Sequence, residues 1–135
     1  MLTRRSLIAA TLVLGTFVFA SAAQATDLSG YWQGGWNSCQ TGHKGVLRAT
    51  FCRVSPTAYQ VNFTGRFFKV FPFRYSVVLN VVYDDGRTVR LQGSSYLGRM
   101  FGTFYYNATV VNGCFYASYT SCKDNGWFRL AKCCD

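Results

Sequence analysis

From residue 26 onward, apolar and polar side chains alternate in short runs with a period of two. That spacing sets one face of a β-strand against a core and the other in water. Tyr59, Val61 and Phe63 alternate with Gln60, Asn62 and Thr64. Leu47, Ala49 and Phe51 alternate with Arg48, Thr50 and Cys52, and Val89 and Leu91 with Arg90 and Gln92. Ser55-Pro56-Thr57, Asp84-Asp85-Gly86 and Asn112-Gly113 break the runs with residues suited to tight hairpins. No stretch here carries an apolar stripe at helical spacing. The pattern predicts strands at 29–37, 46–54, 58–65, 73–83, 87–94, 100–110, 114–121 and 126–131. Eight short strands joined by tight turns make an all-β fold, a single small antiparallel up-and-down β-barrel or a closely related sandwich. Gly65, Gly93 and Gly102 fall inside these strands, where a small barrel bends. Inward positions Trp32, Leu47, Phe51, Val61, Phe63, Leu79, Leu91, Phe104 and Phe115 are bulky. They predict a filled interior, with no cavity above ~300 Å³, the low end for ligand pockets.

The first 25 residues follow a different pattern. Arg4 and Arg5 precede an apolar run from Leu7 to Ala20, and Ala23-Gln24-Ala25 has the small-x-small form of a cleavage site. Residues 1–25 therefore read as a signal peptide and 26–135 as one β-barrel domain. The apolar run is short of the ~20 residues that span a bilayer, and no transmembrane segment is predicted in the mature chain. Thr3-Arg4-Arg5-Ser6-Leu7-Ile8 also resembles a twin-arginine export signal. A Sec signal is favoured, because disulfides form after export. The address implied is periplasmic, cell-envelope or extracellular. A membrane barrel is excluded by Arg48, Arg90 and Arg129, which would face lipid or crowd the lumen.

Six cysteines, Cys39, Cys52, Cys114, Cys122, Cys133 and Cys134, all follow the cleavage point. An even count in a small exported chain reads as disulfides, three of them, or two with the tail pair free or intermolecular. Zinc is the alternative, but there is no C-x-x-C pair, so no metal site is predicted. The chain's net charge is +9; without Arg4 and Arg5, 12 cations face five Asp, leaving +7, and there is no Glu.

Gly30-Tyr31-Trp32, at the start of the first strand, is similar to the G-x-W that opens lipocalin- and avidin-type barrels. That resemblance implies a Trp plugging one barrel end, with Arg129 available to pack on it. The runs Thr41-Gly42-His43-Lys44-Gly45-Val46-Leu47-Arg48-Ala49 and Gly65-Arg66-Phe67-Phe68, with Pro72-Phe73-Arg74-Tyr75, resemble small secreted proteins of planctomycete-type bacteria. This second resemblance implies a bacterial envelope address and no activity.

Little in the chain points to catalysis. His43, the only imidazole, lies in a Gly-flanked loop, and a triad with Asp84 or Asp124 can be drawn only on paper. No G-x-S-x-G elbow is present. Asp84-Asp85 belongs to a turn. No catalytic residue, cofactor or enzyme activity is predicted. The stretch Gly65–Tyr75 interleaves basic and aromatic residues, as a stacking or anion-binding surface does, although core aromatics with solvated charges give the same pattern. Gly65-Arg66-Phe67-Phe68-Lys69-Val70-Phe71 echoes Gly98-Arg99-Met100-Phe101-Gly102-Thr103-Phe104, 33 residues on. Arg66, Lys69, Arg74 and Arg99 are thus the candidate anion-binding residues, for an acidic glycan, a lipid headgroup or extracellular DNA. Three classes remain: a non-enzymatic binding protein with a basic outer face, a carrier of a small apolar ligand inside the barrel, and an enzyme.

Overall fold

The computed structural model describes residues 26–67 and 71–133. The alternating runs become β1 (Gly30–Ser38), β2 (Lys44–Ser55), β3 (Ala58–Phe67), β4 (Phe71–Asp84), β5 (Thr88–Tyr96), β6 (Thr103–Val111), β7 (Cys114–Thr120) and β8 (Asn125–Lys132). Each strand pairs antiparallel with the next, and β8 returns to β1, closing the barrel. All eight predicted strands are present. The segment 1–25 predicted to be a signal peptide, and Phe68, Lys69 and Cys134, lie outside the described residues.

One boundary is corrected. The strand predicted from residue 100 starts at Thr103, because 98–101 form a single helical turn, α1 (Gly98–Phe101). Gly98 and Gly102 take φ of 89° and 70°, and the Gly102 N–H donates to the Gly98 carbonyl, closing that turn. Gly102 therefore ends a turn rather than bending a strand. Gly65 and Gly93 do lie within β3 and β5. A methyl there would press on the Phe73 ring and on the Val78 carbonyl respectively. The Asn112-Gly113 turn has both residues at positive φ, 52° and 72°, the primed geometry whose twist suits a two-residue hairpin.

The start of β1, the end of β8 and the short β2–β3, β4–β5 and β6–β7 turns meet at one end, the lower end. Trp32 closes it, 1% exposed, its indole N–H donating to the Leu28 carbonyl at 2.9 Å. The Trp32 ring lies 5.2 Å from Phe51 and 6.3 Å from Phe115. Arg129 does not pack on this Trp. It lies on the outer wall, since β8 alternates and its neighbours Phe128 and Leu130 point inward. The cation at the closed end is Arg53, 5.0 Å over the Tyr59 ring, which in turn packs on Phe51.

Inside, all nine predicted inward residues are buried. Leu47, Val61 and Leu91 have no accessible surface at all, so no water-sized hollow adjoins them. Toward the upper end the filling is aromatic: Phe63 on Tyr75 (5.2 Å) and on Phe128 (5.3 Å), and Phe128 on Tyr119 (5.1 Å).

The disulfide expectation needs correction. Cys39, Cys52, Cys114, Cys122 and Cys133 are free thiols, and no disulfide exists among the described residues. No cysteine faces another across a ladder. Cys52 stands opposite Gln60, and Cys114 opposite Val111 and Ala131. Cys39 and Cys122 lie in two different upper-end connections.

Candidate binding face on the outer wall

Residues that face one another across successive ladders form lateral rows around the barrel, and alternate rows point outward. One outward row runs Gln33, Arg48, Thr64, Arg74 across β1–β4. Above it Arg129 and Val46 face Gly35 from either side and Arg66 faces Pro72, with Val46 and Arg66 bordering one groove. Arg48 and Arg74 thus flank Thr64 from either side, about 10 Å apart at the usual strand spacing. Arg66 lies diagonal to Arg74. Lys44, outward on β2, continues the basic positions toward the upper end. A groove of about 750 Å³, lined by Tyr31, Gln33, Arg48, Thr50, Asn62 and Arg74 among others, crosses this face.

Among the described residues no Asp shares the face. Asp27, Asp84 and Asp85 are at the lower end, and the only ion pair among the described residues, Arg53–Asp27 at 4.0 Å, is there too. Asp124, in the upper turn, accepts from Ser38 Oγ at 2.6 Å and from the Tyr119 hydroxyl at 3.1 Å. Burial first, and the Asp124 carboxylate beside it second, push the Tyr119 phenol well above its ordinary pKa. Asp124 is thereby a structural anchor. Asp84 is held at the opposite end by the Thr26 and Gly86 amides, at 3.0 and 2.9 Å. His43 is exposed in the upper β1–β2 connection. Asp84 lies at the opposite end of the barrel from it, and Asp124 is engaged by Ser38 and Tyr119. Among the described residues no group of three or more His, Cys or Asp could hold a metal.

Of the four candidate anion-binding residues, the wall brings Arg66 and Arg74 together. Arg99 stands at the same end on α1, beyond β4 and β5, and Lys69 falls outside the described residues. Arg48 and Lys44 belong to the face but are not among the anion-binding candidates drawn from the sequence, although their even spacing with Val46 and Thr50 on an alternating strand marks them as outward.

Two further grooves flank the basic face. One, about 630 Å³, is a trough opened by Gly35 and Gly45, with Trp127 on one bank and Lys44 and Arg66 on the other. Beyond it a groove of about 1030 Å³ extends over β4–β8. At the waist these rows carry Arg, Asn, Gln, Ser and Thr where a lipid-facing barrel needs an apolar band. No described helix is long and apolar enough to cross a membrane.

No family model matches the chain, and no curated protein does. Among solved structures the chain is similar to a de novo designed fluorescence-activating β-barrel. Identity is 13% and the TM-score 0.53, with 78% of this chain and 93% of that one covered. The likeness is one of fold.

Proposed function

We propose that this chain is an exported, non-enzymatic binding protein of the bacterial envelope or its surroundings, and that it grips an anionic polymer with its outer wall. The observation that carries the reading is the run of outward cations Lys44, Arg48, Arg66 and Arg74 on adjoining strands, with every described Asp elsewhere. Unpaired guanidinium groups make bidentate hydrogen bonds to carboxylate, sulfate or phosphate, and a one-sign surface concentrates such groups near it. Arg99 on α1 extends the positive field toward the upper end. Carriage of an apolar ligand, the use to which a barrel resembling a fluorescence-activating design could be put, has less support. The interior is occupied by the chain's own side chains.

The test is elution from an immobilised sulfated polysaccharide along a salt gradient. Wild type is retained at low salt, and Arg48→Ala/Arg74→Ala elutes earlier. Arg87→Ala, an equally exposed cation in the lower β4–β5 turn, changes elution far less. Equal shifts per charge removed, wherever the charge lies, would overturn a localised face in favour of net charge alone.

A further inference from the structure

The outward rows of β4–β8 differ in chemistry from the basic face. One runs Tyr83, Arg90, Thr109, Tyr116, Arg129, and the next Asn80, Gln92, Asn107, Ser118, Trp127. These ten positions hold aromatic, amide, hydroxyl and guanidinium groups; Val82 and Asp85, the latter accepting from the Tyr83 hydroxyl at 3.0 Å, border the groove at its lower edge. The rings are prepositioned. A bulge between Val81 and Tyr83 turns Tyr83 outward against Arg90, whose guanidinium lies 5.9 Å from the ring centre. A single guanidinium, that of Arg129, lies 4.9 Å from the Trp127 ring and 5.7 Å from that of Tyr116. Despite that hold, Trp127 remains 36% and Tyr116 48% exposed.

We infer that these rows form a platform for sugar rings, so that the polymer gripped by the wall is an acidic polysaccharide; the inference rests on the anionic reading above. The apolar face of a pyranose stacks on an exposed aromatic ring, while vicinal hydroxyls suit side-chain amides, which donate and accept at once. Amides and hydroxyls outnumber the two cations among these ten positions, which suits a polymer of hydroxyl-rich rings bearing carboxylates rather than one held by charge alone. The trough at Gly35 and Gly45 joins the platform to Lys44 and Arg66, with Trp127 at the junction, so one chain can run across both.

The test compares three probes by calorimetry: polygalacturonate (rings and charge), inorganic polyphosphate (charge alone) and dextran (rings alone). Trp127→Ala is expected to weaken polygalacturonate binding about tenfold or more, the size of losing an anchoring aromatic. Polyphosphate affinity stays unchanged, and Trp127→Phe keeps most of the polygalacturonate affinity. Arg48→Ala/Arg74→Ala weakens both polyanions. If Trp127→Ala does not fold, Gln92→Ala/Asn107→Ala removes the amides and leaves the rings, with the same selective loss expected. Undiminished polygalacturonate binding in either variant overturns the platform and leaves the anionic reading standing. Absence of binding to both polyanions overturns the anionic reading, and with it this inference, even if dextran binds in a Trp127-dependent way. Trp127-dependent binding of oligothymidylate tighter than polygalacturonate overturns the sugar in favour of single-stranded nucleic acid.

Discussion

A residue whose partners are remote in sequence is the least legible part of this chain. Asp124 joins Ser38, 86 positions away, to Tyr119, and nothing local in Ser121-Cys122-Lys123-Asp124 announces that role. The linkage has a pH signature. The folded state keeps the Tyr119 phenol protonated, because burial and the Asp124 carboxylate both disfavour the phenolate; burial acts likewise on Tyr75 and Tyr106. An unfolded chain releases these protons near pH 10, the ordinary tyrosine value. With folded values raised, the contribution to stability is complete below about pH 10 and is lost as pH climbs above it. The melting temperature is therefore expected to fall between about pH 9 and 11. Tyr119→Phe should flatten part of that fall while costing about 1 kcal/mol at neutral pH, where Asp124 loses a donor. An unaltered slope in the variant would remove Tyr119 from the account. By contrast, residues with local signatures were legible. Trp32, Phe51 and Phe63 take the buried places their alternation assigns, and Asn112-Gly113 turns as its chemistry requires.

Among elements, strand number and order followed from periodicity and turn residues, because both are short-range properties. The α1 turn and the β4 bulge did not, since each depends on how neighbouring strands meet. The seam that closes the barrel is equally non-local. Gly34 on β1 passes so close to β8 that an added methyl would overlap the Arg129 carbonyl and backbone. Neighbouring Gly35 is less confined, its added carbon meeting the Gly45 carbonyl at 3.1 Å, a tight contact that a shift of a few tenths of an ångström relieves. Gly34→Ala is expected to destabilise by about 3 kcal/mol, the upper range for overpacking, and Gly35→Ala by under about 1 kcal/mol. Urea unfolding of the two variants measures the contrast, and equal midpoints would mean the seam is compliant. The thiols are also placed by element. Cys39 and Cys122 share the upper end, and Cys52, Cys114 and Cys133 the lower part of the wall. Exchange with glutathione disulfide, which forms an intramolecular disulfide and releases two glutathione thiols per bond, is expected to join Cys39 with Cys122. Peptide mapping by mass spectrometry reads the pairs. A dominant link between the two ends would contradict this packing.

At the scale of the whole molecule, a barrel can serve a ligand from within or from without, and here the two uses compete for the same side chains. Large inward residues that stabilise a domain of this size leave no room inside, so recognition falls to the outer wall. The sequence already showed the bulky interior. It could not show which cations share a face, because that depends on the register joining β2, β3 and β4 and not on spacing along the chain. Phe63 is the position that tests the division of labour. It is 1% exposed, stacked on Tyr75 and packed on Phe128 at mid-barrel. Phe63→Ala is expected to cost about 3–5 kcal/mol and to leave a cavity its neighbours fill only in part. An apolar environment-sensitive dye should stay dark with wild type and brighten with the variant, since only the variant offers a dry internal site. Polyanion elution should not change, because Phe63 does not reach the outer wall. Saturable binding of one dye per wild-type molecule, competed by an apolar ligand, would reverse the order of the two readings. The barrel would then be a carrier, and its basic face a secondary feature.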